Sequence, residues 1–434
     1  MKSEKHTLDN GLTVLLKESR HAPVTTFWVW YRVGSRNEVP GITGIAHWAE
    51  HMLFKGSEAF PKGEIDTQIA RNGGMMNGLT WLDFTTFFET LPSGRIDLAL
   101  RIEADRMANA LFDPDEVSLE RTVIISERQG AENQPTFQLN EEVVAAAFRV
   151  HPYHHETIGD MCDLETISHP DLWRHYQTYY GPNNAIAVAV GDFDAPQMLA
   201  RVEELFGPVP ARSDPPAVNR PEPPQRGERR VKLEGPDSTA YLQAAYHTPA
   251  ATHPDFFPMT VLSAILTGAS GMNLFAPSPP NRSSRLYKAL VETELAAGVG
   301  GSLSAMFDPF LYMISATARA GRSLDEVEIA LDAEIERVLQ EPVSAGELYT
   351  ATKQAKAQFA YSSESVTNQG FWLGFSSVVA DTLWFESFVD SLAAVTVEDV
   401  QRVAQTYLPQ RNRTVGHYLP QGLPAEPNLS GQEA

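Results

Sequence analysis

The spacing of apolar and polar residues along the chain predicts alternating strands and helices. Residues 6–17 and 24–34 are rich in β-branched and aromatic residues, which favours a strand in each, although an Asn-Gly turn signal lies inside the first. The near-continuous apolar run at residues 185–191 predicts a buried strand. Apolar residues that recur every three or four positions predict helices. The predicted helices are residues 64–71, 94–110, 113–132, 168–180 and 195–206.

Residues 75–81 and 83–91 predict two further strands joined by a bend. Gly73 and Gly74, together with the step from Asn77 to Gly78, weaken the first of these as an interior strand. We therefore expect it at a sheet edge, where an extended peptide can add itself by main-chain hydrogen bonds. Ordinary loop geometry is an equally good interpretation of the same residues.

The pattern of the first half of the chain returns in the second half, after a proline-rich segment at residues 209–229. Five residues of one predicted helix and the turn after it recur at a constant offset of 228 positions. They are Asp171, Gln177, Thr178, Tyr179 and Asn184, which match Asp399, Gln405, Thr406, Tyr407 and Asn412. We therefore predict an α+β protein of two homologous domains, residues 1–208 and 230–434, each a mostly antiparallel sheet packed by helices, with a linker at 209–229.

Composition and charge narrow the possible partners. The chain of 434 residues is 43% hydrophobic and 21% charged, as in ordinary globular proteins. Its formal net charge is −21, which argues against nucleic acid or an anionic membrane surface as a partner. The same charge is compatible with cationic substrates and with a merely solvated acidic surface.

Cysteine usage and the N-terminal residues bear on the compartment. Cys162 is the single cysteine, so neither an intrachain disulfide nor a thiolate zinc site can form. The first six residues lack the apolar core of a signal peptide, and no apolar run reaches the length of a membrane span. We expect a cytoplasmic protein, or a periplasmic one if a signal peptide has been removed.

The candidate chemistry lies in the run His47-Trp48-Ala49-Glu50-His51. Apolar residues on both sides follow a helical period, so His47 and His51 lie on one helix face and can reach one ion, with Glu50 beside them. Two imidazoles leave a tetrahedral zinc short of one protein ligand, which a carboxylate from elsewhere would supply. A pair of hydrogen-bonded core histidines is the alternative interpretation of this short motif.

The helix predicted at residues 113–132 offers that carboxylate. Asp113 is placed as its N-cap, with Pro114 at the first position and Glu116 closing a capping box. Glu120 and Glu127 are seven residues apart and share a face that also carries apolar residues, where a carboxylate is costly unless it meets a cation.

A second group of histidines, at residues 151–155, has no acidic or thiol partner at helical spacing, and Pro152 interrupts it. We predict structural or surface histidines there.

The His47–His51 motif resembles the inverted zinc motif of the inverzincins, and the 76 residues from His51 to Glu127 resemble the spacing of the pitrilysin/insulinase family. Gly73 and Gly74, with Asn77, Thr80, Asp83 and Thr85, are similar to that family's active-site edge strand. The total length resembles the short branch of the family, which includes mitochondrial processing peptidase and bacterial relatives.

The resemblance implies a zinc endopeptidase, with Zn²⁺ bound by His47, His51 and Glu127. It implies that Glu50 is the general base and that Glu120 orients a histidine. It also implies that the substrate main chain is held by four residues of the edge strand: Met76, Asn77, Gly78 and Leu79. The substrates would be peptides or extended unfolded segments inside a chamber.

The second half departs from the family pattern. The apolar segment 255–266 lies where the metal helix would recur, and it has no paired histidines. The run 284–290 resembles the family, but Val291, Glu292 and Gly298 stand where the family's Arg and Tyr would follow. We therefore expect the zinc-bearing subunit of a heterodimer whose partner supplies that Arg and Tyr. The alternatives are a non-catalytic scaffold subunit of a larger complex and zinc chemistry other than peptide hydrolysis.

Overall fold

The computed structural model describes residues 3–269 and 282–421, so the outer ends of the two predicted domains, residues 1–2 and 422–434, lie outside it. The described residues form two sheets. The strands are β1 (Glu4–Thr7), β2 (Thr13–Glu18), β3 (Val24–Tyr31), β4 (Met75–Thr80), β5 (Thr85–Pro92), β6 (Ala185–Gly191), β7 (Arg229–Gly235), β8 (Tyr241–His247), β9 (Ala296–Leu303), β10 (Leu311–Ala318) and β11 (Arg413–Pro420). The six-stranded first sheet has the order β1-β2-β6-β3-β5-β4, and the five-stranded second sheet has the order β7-β11-β8-β10-β9.

Helices pack on both sheets. They are α1 (Ile45–Leu53), α2 (Glu64–Arg71), α3 (Asp97–Asn109), α4 (Pro114–Glu132), α5 (Pro135–Ala147), α6 (Met161–Thr166), α7 (His169–Tyr179), α8 (Ala195–Phe206), α9 (Phe256–Leu266), α10 (Leu324–Gln340), α11 (Ala345–Ser362), α12 (Val366–Val379), α13 (Thr382–Glu386), α14 (Phe388–Ala393) and α15 (Val397–Tyr407). Among the described residues, none of these helices is both long enough and apolar enough to cross a bilayer.

Each sheet is mostly antiparallel. The parallel pairs are β2 with β6 and β7 with β11, and the other described pairs are antiparallel. The predicted α+β fold class with two homologous domains is confirmed. The domain boundaries stay a prediction; strand β7 begins at Arg229, the last residue of the predicted linker.

The internal repeat is visible in atomic detail. Helix α15 begins and ends 228 residues after α7, and the same hydrogen bonds hold both. Asn184 donates its side-chain amide to the carbonyl of the last residue of α7 at 2.9 Å, and Asn412 makes the same bond to α15 at 2.7 Å. Each N-terminus carries a capping box, formed by Ser168 with Asp171 and by Thr396 with Asp399. These local signals therefore specify the same turn twice.

The prediction of one strand over residues 6–17 is wrong. The turn signal divides it into the antiparallel hairpin β1–β2, with Thr7 opposite Thr13. Gly11 has a φ of +89°, a left-handed conformation that glycine adopts without steric cost. The hairpin turn therefore overrides the apolar run.

Two other predicted boundaries also change. The strand predicted over residues 24–34 ends at Tyr31, where the amide of Val33 donates to the Tyr31 carbonyl at 2.8 Å and closes a tight turn. The helix predicted over 94–110 begins at Asp97, because a 3₁₀ turn at Ser93–Arg95 precedes it.

The two halves are interlocked by an exchange of helices. Helix α5 of the first half packs on β7, β8 and β11, whereas α12 of the second half packs on β3 and β6. Gly374 of α12 lies directly against the indole of Trp30, where any added Cβ would overlap the ring. Gly416 of β11 is in the same way pressed against Leu139 and Val143 of α5. Each sheet therefore completes its core with a helix from the other half.

Polar contacts tie the turn after β4 to the second half. Asp83 in that turn accepts hydrogen bonds from the Phe307 amide at 2.8 Å and from the Tyr153 hydroxyl at 2.5 Å. Arg36 pairs with Asp308 at 2.6 Å, and His151 lies 3.1 Å from the same carboxylate. The position of the edge strand β4 is thus fixed from both halves.

Candidate metal centre

A buried glutamate holds the N-terminus of α1, the helix that carries the histidine motif. Glu38 accepts hydrogen bonds from the amides of Gly44 and Ala46, each at 2.8 Å. Nε2 of His155 lies 2.9 Å from the same carboxylate. A negative charge is favourable at a helix N-terminus. His155 therefore has a structural partner. Among the described residues, one group of three side chains could hold a metal ion, and His155 does not belong to that group.

The three predicted metal ligands lie together. Nε2 of His47 and Nε2 of His51 are 3.2 Å apart. Oε2 of Glu127 is 3.6 Å from the His51 nitrogen and 4.0 Å from the His47 nitrogen. Donor atoms about 2.0–2.1 Å from a tetrahedral zinc lie about 3.3 Å from one another. The separations therefore fit a zinc ion with one position left open.

Burial sets the protonation state of the first histidine. Loss of hydration, together with the neighbouring charge of His51, lowers the pKa of His47 to about 3. The ring is therefore neutral at pH 7, which is the form that binds metals. Its Nδ1 is buried and has no hydrogen-bond partner among the described residues. The donor set is two imidazoles and a carboxylate, which suits zinc.

Glu120 contacts the second histidine. Its Oε1 lies 2.8 Å from Nδ1 of His51, and its Oε2 lies 2.5 Å from Nζ of Lys55. Partial burial opposes ionisation of Glu120, but the hydrogen bonds from Lys55 and His51 hold its pKa below the ordinary value. A carboxylate on the outer nitrogen fixes the ring, so that Nε2 faces His47.

Helix α4, which carries both glutamates, starts as predicted except for one contact. Asp113 is the N-cap and accepts from the amides of Asp115 and Glu116. Glu116 does not close the predicted capping box. Its carboxylate instead binds Nζ of Lys62 at 2.7 Å, because a charge-assisted bond to a neighbouring segment competes with the local one.

Glu50 lies beside the ligands and is almost completely buried, with 8% of its surface exposed. Burial raises its pKa above the ordinary value. Its Oε2 accepts a hydrogen bond of 2.6 Å from the hydroxyl of Thr80. A Cβ added to Gly78 would lie 2.9 Å from Oε1 of Glu50 and 2.8 Å from the ring of Phe54. Strand β4 therefore passes directly over the carboxylate.

The four residues expected to hold a substrate lie on that strand, which is an edge of the first sheet. They are Met76, Asn77, Gly78 and Leu79, and all are at least partly exposed. On one side β4 pairs with β5, with Met76 opposite Glu89 and Gly78 opposite Phe87. The other side of β4 is not paired with any described strand.

For the zinc endopeptidase that the sequence resemblance implies, Gly78→Ala is expected to lower peptide turnover by about 100-fold with zinc content unchanged. The added methyl displaces either Glu50 or β4, and a misplacement of about 1 Å costs about that factor. Turnover of an unfolded peptide and metal analysis would measure both effects. Gly94→Ala is the control, because a Cβ at Gly94 would meet no atom within 4 Å. Equal turnover of the two variants would contradict the close approach.

The positions at which this sequence departs from the resemblance lie in the second half. Val291 ends a π-helical turn at Tyr287–Val291, and Arg285 pairs with Glu347 at 2.7 Å. Gly298 lies in the edge strand β9, and a Cβ there would meet no atom within 4 Å. There is space at position 298, but the chain places no side chain in it.

Sequence reasoning missed two residues of this site. Glu38 caps α1 from six residues before Gly44, outside the spacing of a local cap. Lys55 lies four residues after His51, and residues at this spacing are neighbours on a helix surface. This spacing could have identified Lys55 as a partner of the site.

The fold and the site define a class: a protein of two interlocked α+β domains, with a candidate zinc centre beside an edge strand of the first. The chain belongs to the insulinase family, also called peptidase family M16. Residues 13–161 match the family profile described as insulinase (peptidase family M16). Residues 166–355 match the profile described as peptidase M16 inactive domain. The predicted family membership is confirmed.

Similarity to known proteins extends over nearly the whole chain. Mitochondrial-processing peptidase subunit beta of Lentinula edodes is 27% identical over 415 residues, covering 94% of this chain and 87% of that protein. Zinc protease PqqE of Helicobacter pylori is 27% identical over 420 residues, covering 95% and 92%. A crystal structure of a protease from Helicobacter pylori matches with a TM-score of 0.91 and 27% identity, over 96% of this chain and 99% of that one.

Proposed function

We propose that this protein is a zinc-dependent endopeptidase that hydrolyses peptides or extended unfolded segments. The observation that carries the proposal is the meeting of His47, His51 and Glu127 in zinc geometry, with Glu50 packed against strand β4 at Gly78. Relatives named zinc protease and processing peptidase support the same reaction class.

The chain's own residues divide the work. His47, His51 and Glu127 would hold the zinc ion, which when bound acidifies a water molecule and polarises the scissile carbonyl. Glu50 takes a proton from the attacking water and passes it to the leaving amine. The free edge of β4 binds the substrate main chain by strand addition and places it over the Glu50 carboxylate. Glu120 keeps the ring of His51 turned toward the metal.

We further propose that the active form is a heterodimer in which a homologous subunit supplies an Arg and a Tyr to a shared chamber. The support is that Val291 and Gly298 stand where the family keeps those residues, and that position 298 faces open space. The exposed free thiol of Cys162 fits a reducing compartment, so we propose the cytoplasm as its location.

Zinc removal is the first test. We expect the purified chain to carry one zinc per molecule and, with its partner, to cleave an unfolded peptide. A chelator should abolish cleavage, and added zinc should restore it. The reason is that zinc is the group proposed to acidify the water and polarise the scissile carbonyl. Metal analysis and mass spectrometry of the products provide the measurement. Cleavage that continues in chelator, or a chain that binds no zinc, would overturn the proposal.

The heterodimer has its own test within the same experiment. The chain alone should be far less active than the chain co-purified with its partner. Full turnover by the isolated chain would contradict the missing Arg and Tyr but leave the zinc chemistry intact. A scaffold subunit would be expected to have lost a ligand or the base, and His47, Glu50, His51 and Glu127 are all present.

A further inference from the structure

The hydrogen bond from Thr80 to Glu50 joins the substrate-binding strand to the base. Thr80 is the last residue of β4, and its hydroxyl lies 2.6 Å from Oε2 of Glu50. Both side chains are buried. A bond this short between a hydroxyl and a carboxylate is charge-assisted and about twice as strong as a neutral one.

The direction of this hydrogen bond follows from the neighbouring hydroxyls. The Thr80 oxygen has two possible acceptors, Oε2 of Glu50 at 2.6 Å and the hydroxyl of Thr85 at 3.3 Å. Thr85 donates its single hydrogen to the carbonyl of Val33 at 2.9 Å, so it cannot donate to Thr80. The hydroxyl of Tyr180 approaches the same Thr85 oxygen at 3.4 Å. Because the Glu50 oxygen is closer and a carboxylate is the stronger acceptor, the Thr80 hydroxyl donates its hydrogen to Glu50.

This bond makes the two carboxylate oxygens of Glu50 different. Oε2 is held by Thr80, whereas Oε1 faces Gly78, where a Cβ would come within 2.9 Å of it. A carboxylate can rotate about its last torsion unless hydrogen bonds fix it, because that torsion is broad. With Oε2 fixed, Oε1 is the oxygen that faces the backbone of β4 at Gly78.

We propose that Thr80 is a positioning residue that holds Glu50 so that Oε1 moves the proton during peptide hydrolysis. This inference rests on the proposed function. Thr80 belongs to the strand that includes Met76 to Leu79, so the residue that orients the base is part of the backbone that would hold the substrate. The same strand thereby both orients the base and would hold the substrate main chain.

Two replacements separate the hydroxyl from the shape of the side chain. Thr80→Val keeps the shape and loses the donor, and we expect kcat to fall by about 10-fold to 100-fold, the range of a hydrogen bond to a charged group. KM and zinc content should stay unchanged. Thr80→Ser keeps the donor and should recover kcat to within about threefold.

A matched control is available on the neighbouring strand. Thr86 of β5 is buried like Thr80, but its hydroxyl donates to the Val29 carbonyl at 3.0 Å and not to Glu50. Thr86→Val therefore removes a buried hydroxyl of the same kind, and kcat should not change. An equal loss of kcat in Thr86→Val and Thr80→Val would overturn the inference, because the effect would then come from the sheet.

A binding measurement completes the test. In the Glu50→Gln background, we expect Thr80→Val to leave the affinity for an uncleaved extended peptide unchanged, because Thr80 acts through the carboxylate. A weaker affinity would show that Thr80 shapes the strand and would overturn the inference. Unchanged kcat in Thr80→Val, or no rescue by Thr80→Ser, would also overturn it. Absence of chelator-sensitive cleavage in the unmodified chain would instead reject the proposed function itself.

Discussion

Glu50→Gln is expected to lower peptide turnover by about 100-fold to 10,000-fold, the range for loss of a general base. Glutamine has the same shape and can still accept the hydrogen bond from Thr80, but an amide cannot take up a proton at pH 7. The metal ligands are untouched, so zinc content should stay at one per chain. Turnover, metal analysis and affinity for an extended peptide together measure the effect.

The zinc content and a control variant decide how the result for Glu50→Gln is interpreted. Glu58→Gln makes the same chemical change at an exposed position and should leave turnover and zinc unchanged. If Glu50→Gln retained full turnover, Glu50 would not be the base. If neither variant changed any measurable property of the assembled complex, a scaffold role would be favoured. The two functions that the motif allows are thus separated by a single atom replacement.

The second large effect concerns a buried ion cluster under the edge strand. Arg106, Glu103 and Glu89 each have at most 1% of their surface exposed. The guanidinium of Arg106 contacts Glu103 directly and lies 3.8 Å from Glu89. Burial raises the pKa of Glu89 well above its ordinary value. Burial also raises the pKa of Glu103, but the adjacent Arg106 guanidinium opposes that rise. Of the two carboxyls, Glu89 therefore keeps its proton more readily and Glu103 is the one that pairs with Arg106.

The same guanidinium supports the end of the metal helix. Its Nε donates to the carbonyl of Leu53, the last residue of α1, at 3.1 Å. Its plane lies over the rings of Phe54, at 5.1 Å, and Phe87, at 4.4 Å. Phe54 in turn contacts β4 at Gly78. Arg106 therefore links the C-terminus of α1 to the edge strand from below.

Arg106→Met is expected to lower the free energy of unfolding by about 3–5 kcal/mol, the effect of leaving a buried charge without its partner. Reversible urea denaturation at pH 7 is the measurement. The double variant Arg106→Met/Glu103→Gln should recover most of the loss, because both charges are then removed. If the double variant were as unstable as the single one, lost packing on Phe54 and Phe87 would be the cause, not the unpaired carboxylate.

Glu89→Gln provides the control with a defined pH dependence. Because burial raises the pKa of Glu89, the folded chain binds that proton more tightly than the unfolded chain. The stability that protonated Glu89 contributes to the folded chain is present at low pH and is lost as the pH rises through the folded-state pKa of Glu89. Glutamine cannot lose a proton, so the variant should become increasingly stable relative to the unmodified chain as the pH rises. A difference that shrinks with rising pH would contradict this protonation state.

Sequence signals predicted a helix or strand well where the residues that specify it lie close together in the chain. The apolar period around His47 and His51 gave one helix, and the capping residues near Asp171 and Asp399 gave the same helix twice, because each depends on residues within two turns. The strand over residues 6–17 was wrong because a glycine turn at Gly11 outweighed the apolar pattern.

The candidate site was predicted in part. Two members of the metal group follow from helical spacing. The helical pattern also offered Glu120 and Glu127 as carboxylates, but the choice of Glu127 came from the family resemblance, since no local rule connects it to α1. Thr80 was noticed only as part of the edge-strand pattern, and its bond to Glu50 spans thirty positions. Such contacts depend on how strands and helices pack, which propensity and period do not encode.

The sequence by itself determined the helix of the zinc motif, the repeat of the two halves and the acidic charge, because these are set by neighbouring residues and composition. Only the tertiary structure decided that Glu38 caps α1, that Arg106 supports its far end and that Thr80 donates a hydrogen bond to Glu50. The physical reason is that a buried polar group must find a partner wherever the fold brings one, at any distance along the chain.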